Sequence, residues 1–171
     1  MIKLDKLLCI IAGLLPLAVI TLLAAIDPNF ILFSDYLSKL GTGQYAIVFN
    51  CSLVVAAFFS APFLYRIGKG PGYAFIAAAF ALAGVGVFPA TSWLHVYFAG
   101  AFFLLMFASI LTIGLKIWGR GGHLSVAVGI FGFTGLVFLN PFIETVLVYV
   151  IGIWVVGAAV VYKKIKSKGF K

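Results

Sequence analysis

Side chains that could act as acids, bases or polar ligands are scarce in this 171-residue chain, which has four acidic residues and two histidines. A histidine beside a carboxylate can exchange protons with a substrate, whereas polar side chains without such pairing can hold the head group of a ligand. Four separate parts of the sequence supply such groups, namely Asp35, Asn50, His95 and Glu144. They can form one site only if the fold brings these parts together.

The composition restricts the fold that can do so. The chain is 64% hydrophobic and 9% charged, and its mean hydropathy is +1.23. A soluble domain carries about 25% charged residues, so this chain has too few charges to cover a surface that faces water. Disordered chains are less hydrophobic than this one. We therefore expect an integral membrane protein.

Apolar runs and the residues that interrupt them predict the elements. A helix needs about 20 apolar residues to cross roughly 30 Å of hydrocarbon. Glycine, proline and charged residues end six such runs in this sequence. We predict an all-α polytopic membrane protein, a single transmembrane domain over residues 1–171 with six helices in one bundle. The expected spans are about 7–26, 45–65, 73–88, 94–118, 124–139 and 142–162.

The distribution of positive charge predicts the orientation. With six spans, Lys39 falls on one side of the membrane and the other eleven of the twelve lysines and arginines fall on the opposite side. Cytoplasmic loops are enriched in lysine and arginine, so both termini are predicted to be cytoplasmic. The connection 27–44 would then lie outside, and the basic tail 163–171 inside. Lys3 and Lys6 precede an apolar run longer than that of a usual secretory leader, so we expect the first span to be retained.

This orientation places the polar candidates at the outer side of the membrane. Asn50 would lie about 8–10 Å inside the second span, where an amide should face the bundle or a water-filled crevice. The predicted ligand-binding residues are Ser38, Asn50, His95 and Glu144. The weaker catalytic candidates are His95 and, as its partner, Asp35 or Glu144.

A purely structural interpretation of the same residues stays open. His95 would then donate a hydrogen bond to a carbonyl group at the start of a helix. Glu144 would lie in the first turn of the sixth helix, where the helix dipole favours a negative charge.

The long connection 27–44 carries its own pattern. Phe30, Phe33, Leu37 and Leu40 follow 3-4-3 spacing, and Gly41 would end the helix that this spacing describes. The pattern predicts a short amphipathic helix on the outer surface. Such a helix could serve as a lid over the bundle or only connect two distant spans.

Several kinds of site and partner are not expected. Two histidines and two cysteines on different faces cannot form a structural zinc site, and no metal, cofactor or catalytic sequence motif is predicted. The net charge of +8 follows from membrane topology, so no nucleic acid is expected. The expected partners are membrane lipids, with anionic head groups at the lysine-rich tail. Small residues of the third span, Ala77–Ala81 and Ala79–Ala83, could pack within the monomer or in a homo-oligomer.

Three stretches carry a resemblance to a known family. They are Ser38-Lys39-Leu40-Gly41 ahead of Phe49-Asn50, Gly86-Val87-Phe88-Pro89, and Leu94-His95. The sequence resembles the DUF998 family of prokaryotic six-span membrane proteins, which is similar in layout to the Frag1/DRAM/Sfk1-like group. The resemblance implies a multi-pass protein of a prokaryotic plasma membrane and implies no activity. The family positions that it matches are Ser38, Gly41, Asn50, Pro89 and His95.

Three functions remain as expectations. The first is a non-enzymatic protein that holds a lipid-like ligand or a partner in a polar crevice that faces outward. The second is an intramembrane hydrolase or transferase that uses His95 with Asp35 or Glu144. The third is a small transporter.

Overall fold

The computed structural model describes residues 2–67, 72–116 and 120–166, and it describes side chains within 4–66, 72–116 and 121–161. The described residues form six α-helices, one short 3₁₀ helix and no β-strand, which confirms the predicted all-α class. Trp118, Lys69 and residues 167–171 of the basic tail lie outside the described residues. The helices are α1 (Ile2–Ile26), α2 (Ala46–Ile67), α3 (Gly72–Val87), α4 (Trp93–Lys116), α5 (Arg120–Val137) and α6 (Pro141–Lys166), and the 3₁₀ helix is Leu37–Gly41.

Four of these helices contain stretches that are long and apolar enough to cross a membrane, namely 4–26, 46–66, 93–116 and 141–161. The helix α3 and the stretch Gly121–Val137 of α5 are also apolar but shorter. Large apolar side chains such as Phe58, Phe80 and Trp93 are about 70% exposed. Because soluble proteins rarely expose apolar surface on this scale, the helices indicate a membrane-embedded protein.

The six helices form a ring in which neighbours along the chain pack antiparallel, and α6 closes the ring against α1. Glycines allow close approach at the closing contact. A β-carbon on Gly13 would lie 2.9 Å from the carbonyl oxygen of Gly152, which leaves no room for a side chain there. The end of the ring that carries the connection between α1 and α2 is called the capped end below.

Charged residues mark the other end of the ring, called the basic end. There Arg66 forms an ion pair with Asp5, and Lys6 donates a hydrogen bond to the carbonyl oxygen of Val160 at 3.2 Å. These contacts join the start of α1 to the ends of α2 and α6. Lys116 also lies at this end, at the last residue of α4.

The prediction of an amphipathic helix in the connection 27–44 is wrong. Residues 27–45, called the capping segment below, form turns and only the five-residue 3₁₀ helix. Phe33 has a φ of 69°, in the left-handed region, and a single such residue cannot continue a right-handed helix. The carboxylates of Asp27 and Asp35 accept hydrogen bonds from the backbone N–H groups of Asn29 and Ile31, which replace the bonds that a helix would make.

The apolar residues of the capping segment nevertheless pack inward. Phe30, Leu37 and Leu40 are at most 4% exposed and contact Ile20 and Leu23 of α1 and Phe49 and Leu53 of α2, whereas Phe33 is 46% exposed. Their burial, and not a helical stripe, holds the segment over the end of the ring. The segment therefore closes one end of the bundle.

Candidate functional site

The interior of the ring contains an elongated cavity of about 110 Å³. Its wall comes from five helices and from the 3₁₀ helix, and none of the described residues of α5 lines it. On α2 the lining extends from Phe49 to Leu64, which at about 1.5 Å per residue is a rise of roughly 22 Å. Almost every lining residue is apolar. Ser38, His95 and Glu144 make the capped end of the cavity polar, and Ser60, farther along α2, donates its hydroxyl hydrogen to the carbonyl oxygen of Ala57.

Glu144 links the cavity to the capping segment. The helix α6 begins at Pro141, and the side-chain oxygen of Asn140 caps it by accepting the N–H of Ile143 at 3.0 Å. This start places Glu144 one turn into the helix. Its Oε2 accepts a hydrogen bond from the N–H of Leu37 at 2.7 Å, across 107 positions of sequence. The carboxylate thus holds the capping segment in place while it also lines the cavity.

His95 is oriented by the end of α3. Its Nδ1 lies 2.8 Å from the carbonyl oxygen of Phe88, which precedes Pro89. A carbonyl oxygen can only accept, so we assign the proton to Nδ1 and an acceptor role to Nε2 of the neutral ring. His95 is 8% exposed, and Nε2 has no hydrogen-bond partner among the described residues. The purely structural interpretation therefore accounts for Nδ1 of His95, which bonds to a carbonyl group. Nε2 remains able to accept a hydrogen bond from a ligand.

Ser38 and Asn50 differ in their placement. Ser38 lies in the 3₁₀ helix and lines the cavity, and its hydroxyl has no partner among the described residues. Asn50 does not line the cavity. Its side-chain N–H donates to the carbonyl oxygen of Gly41 at 3.1 Å, so Asn50 holds the end of the 3₁₀ helix. The structure thus brings three of the four predicted ligand-binding residues to one place, with Asn50 beside them.

Asp35 lies apart from this group. Its carboxylate accepts the N–H of Ile31 at 2.9 Å and forms an ion pair with Lys39 at 2.9 Å. The side chains of Asp35, His95 and Glu144 make no hydrogen bond to one another in the described part of the chain. The direct pairing that the hydrolase hypothesis predicts for His95 is therefore not observed. No group of three His, Cys, Asp or Glu residues that could hold a metal occurs among the described residues either.

The pH response of Asp35 is a first prediction. The N–H of Ile31 and then the ammonium group of Lys39 lower the pKa of the Asp35 carboxyl below its usual value of 3.8. Because the pKa is lowered in the folded state, the contribution of this carboxylate to stability is complete above 3.8 and is lost as the pH falls through the lowered value. The amide NMR signal of Ile31 should titrate with a midpoint below pH 3.8, and Asp35→Asn should remove that titration. A midpoint at or above 3.8 would contradict the prediction.

Sequence reasoning missed most of the cavity wall. The cavity exists because several residues of its wall have small side chains or none. These residues lie on five different helices and are Ala12, Ala56, Ala79, Ala99 and Gly152. A partial signal exists in α6, where Glu144, Val148 and Gly152 recur every four residues and therefore share one face. That spacing predicts that the three residues share one face of α6. It does not predict that this face lines a cavity.

Comparison with known proteins matches this chain to a protein family. The family described as "Protein of unknown function (DUF998)" matches residues 10–161. Neither curated proteins nor solved structures give a significant match to this chain.

Proposed function

Since this chain belongs to the DUF998 family of proteins of unknown function, we propose from its cavity that it is a membrane protein that binds a lipid-like ligand with a single hydrocarbon chain. The hydrocarbon chain would occupy the apolar interior of the ring, and the ligand's head group would lie against Ser38, His95 and Glu144. Binding requires no chemical step, so the proposal is a non-enzymatic function.

The observation that carries this proposal is the shape and polarity of the cavity. The lining extends about 22 Å along α2 around a volume of about 110 Å³, and the polar atoms of the lining that lack a partner among the described residues lie at the capped end. An apolar wall favours hydrocarbon because it offers hydrogen bonds to neither water nor a polar solute. One extended chain suits such a space, whereas two chains side by side would need about twice the cross-section.

We also propose that all six helices cross a prokaryotic plasma membrane with both termini in the cytoplasm. Lys6, Arg66 and Lys116 lie at the basic end of the ring, whereas Lys39 is the only lysine or arginine at the capped end among the described residues. This asymmetry favours a cytoplasmic basic end. The 16 residues of α3 rise only about 24 Å, which a locally thinned bilayer can accommodate. The cavity's polar end would then face outward, and the basic tail 163–171 would attract anionic head groups.

Blocking the deep end of the cavity, away from its polar end, tests the proposed function. Ala12 of α1 lines the cavity and is buried, so Ala12→Phe should fill the space that the far end of a hydrocarbon chain would occupy. Excluding two methylene groups, at about 0.8 kcal/mol each, should weaken the binding of radiolabelled dodecanol roughly tenfold. Equilibrium binding to the full chain in a steroid-based detergent measures this, because that detergent lacks a competing hydrocarbon chain.

A matched control lies on the same helix. Ala18 is exposed and does not line the cavity, so Ala18→Phe should bind dodecanol as the unaltered protein does. Ala79→Leu on α3 is a second cavity-filling variant that alters a different wall. No saturable binding of dodecanol, or equal binding by all three variants, would overturn the proposed function.

A further inference from the structure

The polar end of the cavity offers hydrogen-bond acceptors. In Glu144, Oε2 is occupied by the N–H of Leu37, and Oε1 has no partner within the described part of the chain. In His95 the donor nitrogen is occupied by the carbonyl oxygen of Phe88, which leaves the acceptor nitrogen Nε2. The hydroxyl of Ser38 can donate or accept. Two acceptors and one adaptable hydroxyl group therefore line this end of the cavity.

The same end holds no available positive charge among the described residues that line the cavity. Lys39 is next in sequence to Ser38, yet its ammonium group forms the ion pair with Asp35 outside the cavity lining. An anionic head group would face the carboxylate of Glu144 without a compensating cation. Such a like-charge contact is unfavourable, and the partial burial of Glu144 reduces the screening of it by water.

We propose that the polar end selects a single-chain amphiphile whose head group is a primary amine, an inference that rests on the proposed function. An ammonium group has three N–H donors and no acceptor. It could donate a charge-assisted hydrogen bond to Oε1 of Glu144, and Nε2 of His95 and Oγ of Ser38 are the further acceptors that line the same end of the cavity. The amine thus complements both the acceptors and the negative charge of this site.

The expected preference opposes the overall charge of the protein. The chain has a net charge of +8, so long-range electrostatics favour anionic amphiphiles. Tighter binding of an amine than of a carboxylate with the same chain must therefore arise from local contacts. Nonspecific adsorption to the basic end would produce the reverse order.

Three probes with one hydrocarbon chain separate these contributions. We expect the unaltered full chain to bind radiolabelled dodecylamine roughly tenfold more tightly than dodecanoate at neutral pH, with dodecanol between them. Glu144→Gln keeps an acceptor for the N–H of Leu37 but removes the charge, so most of the amine's advantage should disappear. Asp27→Asn is the matched control, because it removes a negative charge at the same end of the bundle, keeps an oxygen that accepts the N–H of Asn29, and lies outside the cavity lining; it should keep the advantage.

The outcomes distinguish this inference from the proposed function beneath it. Equal binding of the three probes, or tightest binding of dodecanoate, would overturn the amine preference and leave cavity binding standing. Binding of none of them would overturn both. An amine advantage that survives in Glu144→Gln would also overturn the assigned role of Glu144. If that variant did not fold, the order of the three probes on the unaltered chain would still decide.

Discussion

Replacement of Gly132 by alanine is expected to destabilise the protein by about 1–3 kcal/mol. A β-carbon on Gly132 of α5 would lie 2.1 Å from Cδ1 of Phe107 on α4. Phe107 cannot move aside easily, because it is fully buried and packs against Phe103 and Phe133. The two helices must therefore separate to accommodate the methyl group, and that separation loses contacts along their interface.

Thermal unfolding in detergent measures this effect. For a chain of this size the apparent midpoint should fall by roughly 2–4 °C for each kcal/mol that is lost. Gly100→Ala is the control, because a β-carbon on Gly100 of α4 would have no described atom within 4 Å beyond its chain neighbours and the adjacent turns of its own helix. Alanine there should be neutral or stabilising by up to about 1 kcal/mol, since glycine is the poorer helix former. Equal midpoints for the two variants would show that the α4–α5 contact is looser than described.

Removal of the Glu144 carboxylate is expected to release the capping segment. Glu144→Ala leaves the N–H of Leu37 without its acceptor, while Leu37 itself is buried. Loss of a hydrogen bond to a charged group costs about 1.5–3 kcal/mol. If local opening governs exchange, the Leu37 amide should exchange with deuterium about 10- to 100-fold faster than in the unaltered protein.

Two comparisons show whether the release is local. Glu144→Gln retains a side-chain oxygen that can accept from Leu37, so its amide should exchange at a rate between those of the other two proteins. The amide of Ile31 is held by Asp35 and should be unchanged in both variants. Unchanged exchange at Leu37 in Glu144→Ala would mean that apolar packing of Leu37 and Leu40 alone holds the segment. Faster exchange at Ile31 as well would mean that the whole segment opens as one unit.

The helices could be predicted because the signals for them are local. Each of the six predicted apolar segments contains one helix, and breakers such as Pro89 and Asn140-Pro141 mark where α3 ends and α6 begins. In hydrocarbon a backbone N–H or C=O group has no water to bond with, so an apolar run must satisfy its own hydrogen bonds as a helix. The family could also be predicted from short local stretches of sequence, and the match of the DUF998 family over residues 10–161 confirms it.

The capping segment could not be predicted in the same way. Its 3-4-3 spacing of apolar residues is real, yet Phe30, Leu37 and Leu40 reach the bundle through turns and a 3₁₀ helix. The carboxylates of Asp27 and Asp35 compete for the backbone N–H groups that a helix would need. A periodic pattern of apolar residues predicts which residues are buried. It does not predict whether their backbone N–H groups bond to helical carbonyl groups or to side chains.

The sequence by itself determined that this is an all-α membrane protein with one acid-poor and strongly basic end. Apolar composition, helix-breaking residues and the positions of lysine and arginine indicate this without any knowledge of which residues are in contact. Tertiary structure alone decided that Ser38, His95 and Glu144 share a cavity while Asn50 bonds to Gly41 beside it. The reason is geometric. The direction of a side chain around a helix, and the approach that Gly13 and Gly152 allow between helices, depend on how all six helices pack together.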